Sequence, residues 1–202
     1  MSLITGLSLQ KMSVVTPSGP GHAALLESFK IHRQDQDLWC WVAVAASINE
    51  FYTGQLPKQC TIARDTLTNS QVMVNNVAIS TCCPWAAHPE CNMAFFADLA
   101  LQQLGHLAGS SPGALVFSSL DVQIPEKVPT PPVPRGHPIA CSIVGTQTPG
   151  AHFVVISGWE QTADSHQCIY VDNPSGPTAS FEDYDEFVHG KETSWVFTYL
   201  TQ

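Results

Sequence analysis

The stretch Leu38-Trp39-Cys40-Trp41-Val42-Ala43-Val44-Ala45-Ala46-Ser47-Ile48-Asn49-Glu50-Phe51-Tyr52 carries apolar side chains at 41, 44, 45, 48 and 52. That i, i+3, i+4, i+7 spacing predicts a helix over 39–52, with Asp37 as its N-cap and Gly54 as its stop. Cys40 then lies in the first turn, where unpaired backbone N–H groups and the positive end of the helix dipole favour an anion. The thiolate is the nucleophilic form of cysteine, and an unassisted thiol supplies little of it at neutral pH. Chemistry at Cys40 therefore calls for a partner histidine.

Among eight histidines, His152 has the most distinctive surroundings, because Pro149-Gly150-Ala151-His152-Phe153-Val154-Val155-Ile156 sets it at the start of an apolar strand just after a glycine turn. His32, His88, His106, His137, His166 and His189 sit in loops or at element ends and read as solvated. The next strand ends in Tyr170-Val171-Asp172-Asn173-Pro174, so a hairpin would return Asp172 or Asn173 to the side of His152. Strand alternation allows only one of the two to face the ring. Gln34 precedes Cys40 by six residues, in the loop leading into the helix, where its amide could direct an N–H at an oxyanion beside the Cys40 backbone N–H. A thiol to attack, an imidazole to move protons and a polar group to hold the ring's tautomer make up a nucleophilic constellation.

Composition bounds what else the chain can be. Its 202 residues are 44% apolar and 12% charged, which describes one globular domain and excludes disorder and coiled coil. A chain of this length buries roughly 70% of its unfolded surface, enough for a core without staples. Eight basic against 17 acidic residues give a formal charge of −9, which argues against nucleic acid as a partner. No run approaches the ~20 apolar residues of a bilayer span, and the first residues lack the basic start and apolar run of a signal peptide. No membrane association is expected.

The seven cysteines stand at 40, 60, 82, 83, 91, 141 and 168, so at least one thiol is unpaired. Cys60, Cys82, Cys83 and Cys91 crowd into a turn-rich segment and read as disulfide staples, which places the working protein outside a reducing cytosol. Zinc held by Cys82, Cys83, His88 and Cys91 is the rival reading, but the pair of Cys-x-x-Cys hairpins is missing. Cys141 and Cys168 lie in strand-like runs and read as core filling.

Along the chain, residues 1–30 form an arm broken by Pro17-Ser18-Gly19-Pro20-Gly21. Shorter helices are predicted from Lys58 to about Leu67, and from Asn92 as cap through to Gly105. Pro125 to Pro138 is an extended connection. Strand-like runs follow at 138–144, 152–159, 167–172 and 195–200. The pattern is a mainly helical first half and an antiparallel β second half, an α+β fold.

Taken in order, Gln34, Leu38-Trp39-Cys40-Trp41-Val42-Ala43, Gly150-Ala151-His152-Phe153-Val154-Val155 and Val171-Asp172-Asn173-Pro174 resemble papain-like cysteine peptidases. The nearer likeness is to the bacterial branch that includes a plant-pathogen effector protease with a Trp-Cys-Trp helix start. Gln59-Cys60-Thr61-Ile62-Ala63, Cys82-Cys83 and Cys91-Asn92 add to it, and the likeness runs over about 30–200. Val42 and Leu38 depart from the commoner Ala and Asn, and Asn173 stands where the branch has a proline after its aspartate.

The resemblance implies a helical lobe carrying the nucleophile, packed on a β-sheet lobe, with residues 1–30 as an arm or propeptide and 31–202 as the peptidase domain. It implies peptide-bond hydrolysis through an acyl-enzyme, with Cys40 as nucleophile, His152 as base and acid, Asp172 as orienting group with Asn173 as its alternative, and Gln34 as oxyanion donor with Gln36 as fallback. A monomer acting on a protein or peptide substrate, with no cofactor or metal, is expected, in the manner of a secreted effector or toxin. The same constellation could instead serve glutamine deamidation or acyl transfer, or survive on an inactive binding module.

Overall fold

The computed structural model describes residues 21–126, 136–145, 150–176, 179–190 and 193–202. Most of the N-terminal arm, the centre of the proline tract and Pro149 lie outside the described residues. Strand β1 (His22–Leu25) precedes helices α1 (Cys40–Thr53) and α2 (Gln59–Asn69), a hairpin of β2 (Met73–Val74) and β3 (Val77–Ala78), two single turns of 3-10 helix (Trp85–Ala87 and Pro89–Cys91) and α3 (Ala97–Gln103). Next come β4 (Leu107–Pro112), a 3-10 turn (Phe117–Ser119) running into α4 (Leu120–Gln123), β5 (Ile139–Gly145), β6 (Ala151–Gln161), β7 (Gln167–Asp172), β8 (Ser180–Asp183), α5 (Tyr184–His189) and β9 (Thr193–Thr201).

Seven strands form one sheet in the order β4-β9-β5-β6-β7-β8, with β1 added alongside β6. Every pairing in it is antiparallel, as the sequence predicts. The length of β6 lets its first half pair with β5 (His152 opposite Ile143) and its second half with β1 (Gly158 opposite Leu25). Gly158 is required where these meet, because a Cβ there would lie 2.6 Å from the Ala24 carbonyl oxygen and 2.9 Å from the Tyr170 ring.

Both faces of the sheet are covered. Phe153 and Val155 of β6, with Ala140 and Tyr199, pack against α1, α2 and α3. Val154 and Ile156, with Ile139, Cys141, Ile169, Val171 and Trp195, pack against Leu120 of α4 and Phe187 and Val188 of α5. The short helices of the second layer were not predicted from the sequence.

Helix α1 is buried on every side from Cys40 to Ile48, so its pattern is that of a core helix rather than an amphipathic one. Val42, Val44 and Ile48 are middling helix formers, each costing at most about 0.7 kcal/mol against alanine. Burial stabilises each by roughly 1.5–3 kcal/mol, so packing decides the helix. The buried Ser47 hydroxyl donates to the Ala43 carbonyl and accepts the His32 N–H. Gly54 ends the helix in the left-handed conformation, φ 72°, as expected.

Asp37 is not the N-cap of α1: Trp39 occupies that position, without a side-chain cap bond. Nor does Asn92 cap α3, which begins five residues later at Ala97. The Asn92 side-chain oxygen is instead taken by the Leu38 N–H, 3.1 Å, and 92–96 is neither helix nor strand. His106, expected to be solvated, is buried, with Nδ1 at 3.0 Å from the Gln202 carbonyl, Nε2 at 3.1 Å from the Asn49 side-chain oxygen, and its ring stacked on Tyr52.

Candidate active site

The start of α1 is clamped from several directions. Cys60 is bonded to Cys83 and Cys82 to Cys91, the disulfide outcome rather than the zinc one. These bonds fasten the 82–91 segment to itself and to α2, and the chain leaving it receives both flanking indoles. Trp39 donates Nε1–H to the Cys91 carbonyl at 2.7 Å, and Trp41 donates to the Met93 carbonyl at 3.0 Å. Both tryptophans are fully buried. The two residues flanking Cys40 are thus fixed by the stapled chain.

On the other side, the lead-in loop is held by Gln59 at the start of α2, which donates Nε2–H to the Arg33 carbonyl at 2.7 Å and accepts the Asp35 N–H at 3.0 Å. Gln34 donates Nε2–H to the Gln36 carbonyl at 2.8 Å and the Asp37 carbonyl at 2.7 Å. Gln36 donates to the Asp35 carbonyl at 2.8 Å. Both hydrogens of the Gln34 amide therefore brace the loop, and an oxyanion would have to displace one of these carbonyls to be met by it.

Cys40 is a free thiol, 7% exposed. Its sulfur faces the backbone N–H groups of Phe153, Trp41 and Cys40 itself, of which Phe153 is the residue following His152 on β6. Helix α1 and strand β6 thus meet at this point. No hydrogen bond joins the sulfur to the imidazole directly among the described residues; the link runs through the Phe153 amide.

The far side of the ring is set by Asn173. His152 Nε2 lies 2.8 Å from Asn173 Oδ1, and the same oxygen accepts the Ser175 backbone N–H at 2.9 Å. A backbone donor on Oδ1 identifies that atom as the amide oxygen, so Nε2 must be the protonated nitrogen. In the neutral ring, Nδ1 is then the basic one. The sequence reading preferred Asp172 here, and the contact goes to Asn173 instead. Register explains why: Val155 pairs with Asp172 and Ile156 with Val171, so Asp172 shares the face of Phe153 and Val155, while Asn173 falls on the face of His152. The Asp172 carboxyl is hydrogen-bonded to Ser157, and burial pushes its pKa up, only partly offset by that bond.

Electrostatics at the site favour neutral partners. Burial pushes the Cys40 thiol up, against the lowering by three backbone N–H groups. Burial also pushes the His152 ring down, and the bond to Asn173 offsets this in part. At neutral pH the resting protein accordingly holds Cys40 as the thiol and His152 as the neutral imidazole. The other free thiols are less available: Cys141 is fully buried with its pKa well above the usual range, and Cys168 is pushed up to about 11 by burial and by Asp183 and Glu160.

Sequence reasoning missed Ser175, Asn92 and Gln59. Only the turn chemistry of Asn173-Pro174-Ser175-Gly176, closed by the Gly176 N–H on the Asn173 carbonyl at 3.1 Å, could have pointed to the first. No protein-family description matches the chain, and no curated protein matches it. Among solved structures it is similar to the Amb a 11 cysteine protease, a major ragweed pollen allergen, in its proform, at 13% identity and a TM-score of 0.44. The likeness covers 93% of this chain and 66% of that one, so the chain spans just under two thirds of the allergen proform's length.

Proposed function

We propose that the chain is a cysteine peptidase that hydrolyses peptide bonds through a thioester, with Cys40 as nucleophile and His152 as base and acid. The observation that carries this reading is the meeting of the Cys40 sulfur with the backbone amide of Phe153, the residue that follows a histidine whose Nε2 is taken by Asn173. That leaves Nδ1 as the nitrogen able to accept the thiol proton. The sulfur then bonds to the substrate carbonyl carbon, and the developing oxyanion is met by the Cys40 backbone N–H at the start of α1. As the C–N bond breaks, His152 returns the proton to the leaving amine. Water, deprotonated by the same nitrogen, attacks the thioester and the sulfur leaves as the thiol.

Asn173 rather than Asp172 is the orienting group in this mechanism, and Gln34 serves the lead-in loop in the resting state. The test is cleavage of a mixed peptide library followed by mass spectrometry. Cleavage by the wild-type chain that is lost in both Cys40→Ala and His152→Ala supports the proposal. Cleavage that survives Cys40→Ala contradicts it, and ammonia release from glutamine without chain cleavage would select deamidation.

A further inference from the structure

Ser175 has no part in the sequence reading, yet it touches Asn173, His152 and Gln34. Its backbone N–H donates to Asn173 Oδ1 at 2.9 Å, and its hydroxyl oxygen lies 3.4 Å from His152 Nε2. The hydroxyl donates in turn to Gln34 Oε1 at 3.1 Å, and the Gln34 backbone N–H donates to the Pro174 carbonyl at 3.0 Å. From Gln34 the chain of bonds runs through its amide to the Gln36 and Asp37 carbonyls, and Gln36 also accepts the Trp39 N–H at 3.1 Å, at the N-cap of α1. The turn after β7 is thus wired to the loop before the nucleophile, with one side-chain hydroxyl in the middle.

We propose that Ser175 is a positioning residue, whose hydroxyl ties the Gln34 amide to the His152–Asn173 pair and so holds the imidazole in register with Cys40 across the boundary between sheet and helix. This rests on the peptidase reading of the same site. The hydroxyl can do this because it accepts and donates at once, taking part of the Nε2–H while giving its own hydrogen to Gln34. An alanine at 175 leaves the backbone N–H on Asn173 in place and removes only the bridge to Gln34.

The test is a double-mutant cycle of Ser175→Ala and Gln34→Ala, with Ser175→Thr as the conservative variant. Loss of one hydrogen bond between neutral groups predicts a fall in kcat of about 3- to 10-fold for Ser175→Ala, with KM nearly unchanged. Its acid limb should move to lower pH, because the ring loses an oxygen that favours its protonated form. Ser175→Thr should restore both, and Ser175→Ala should add little to Gln34→Ala. Wild-type kcat and acid limb in Ser175→Ala, or effects that simply add, would overturn the proposal. Nitrogen NMR of the His152 ring reads the same contact without turnover: Ser175→Ala should shift the Nε2 resonance, and an unmoved resonance counts against the proposal. A wild-type chain without Cys40-dependent cleavage would sink the peptidase reading while this NMR comparison still decides the role of Ser175.

Discussion

Asn173 Oδ1 accepts the Nε2 hydrogen of His152 at 2.8 Å, while the carboxyl of the adjacent Asp172 pairs with Ser157 on the opposite face of β7. Two neighbouring residues, both chemically able to orient an imidazole, are thereby separated by strand alternation. Asn173→Ala should lower kcat by about 10- to 100-fold, the cost of a hydrogen bond to a group that becomes charged during turnover. Asp172→Asn should leave it within about twofold. Steady-state kinetics of the two variants checks this, and the opposite ranking would return Asp172 to the site.

Asp172→Asn should also alter stability in a pH-dependent way. Burial raises the folded-state pKa of Asp172, so its favourable contribution is present at low pH and is lost as pH rises from its unfolded value through its folded one. The amide keeps an acceptor for Ser157 without the charge. Denaturant titrations should show the variant gaining on the wild type between acid and neutral pH, with a difference that flattens above the folded pKa. A difference independent of pH would mean the carboxyl is not desolvated.

Alkylation of Cys40 by iodoacetamide reports its thiolate directly. With the thiol pushed up and the ring pushed down by burial, the rate should keep climbing with pH beyond the ordinary thiol value of about 8.5. A rate already level between about pH 5 and 8 would reveal an ion pair in the resting protein.

The stapled segment should be necessary for site geometry as well as for stability. Replacing Cys82 and Cys91 with serine removes a short loop closure, predicted to cost about 2 to 4 kcal/mol. The melting temperature should fall, and the acyl-transfer rate at Cys40 should fall with it at temperatures where the variant is still folded, because Trp39 and Trp41 donate to carbonyls within Cys91–Met93. Unchanged kinetics in a folded, less stable variant would show that the indoles hold their carbonyls without the bond.

How far the sequence could be read differed from element to element. Helix α1 and strands β5, β6, β7 and β9 were legible because uninterrupted apolar runs between turn residues have few alternatives. Strands β1, β4 and β8 were not: each is short and lies beside a longer partner, so its conformation comes from pairing rather than from its own residues. Helix α5 did carry a local signal, with Asp183 at the N-cap accepting the Glu186 N–H at 2.7 Å. In the candidate site, the return of residues 172 and 173 to the side of His152 follows from the order of the two strands, whereas which of them meets the ring depends on the β6–β7 register. Gln34 was visible, but not its commitment to two loop carbonyls. Ser175 bonds over 141 residues to Gln34, a separation no local pattern encodes.

The most direct measurement of the central claim is intact-protein mass spectrometry during rapid mixing with an activated peptide ester, followed by peptide mapping of any adduct. A transient acyl group on Cys40 that forms in the wild type, forms far more slowly in His152→Ala and is absent in Cys40→Ser is the predicted result. An acyl group found on Cys141, Cys168 or a lysine, or turnover with no adduct on Cys40 at any time, would contradict it.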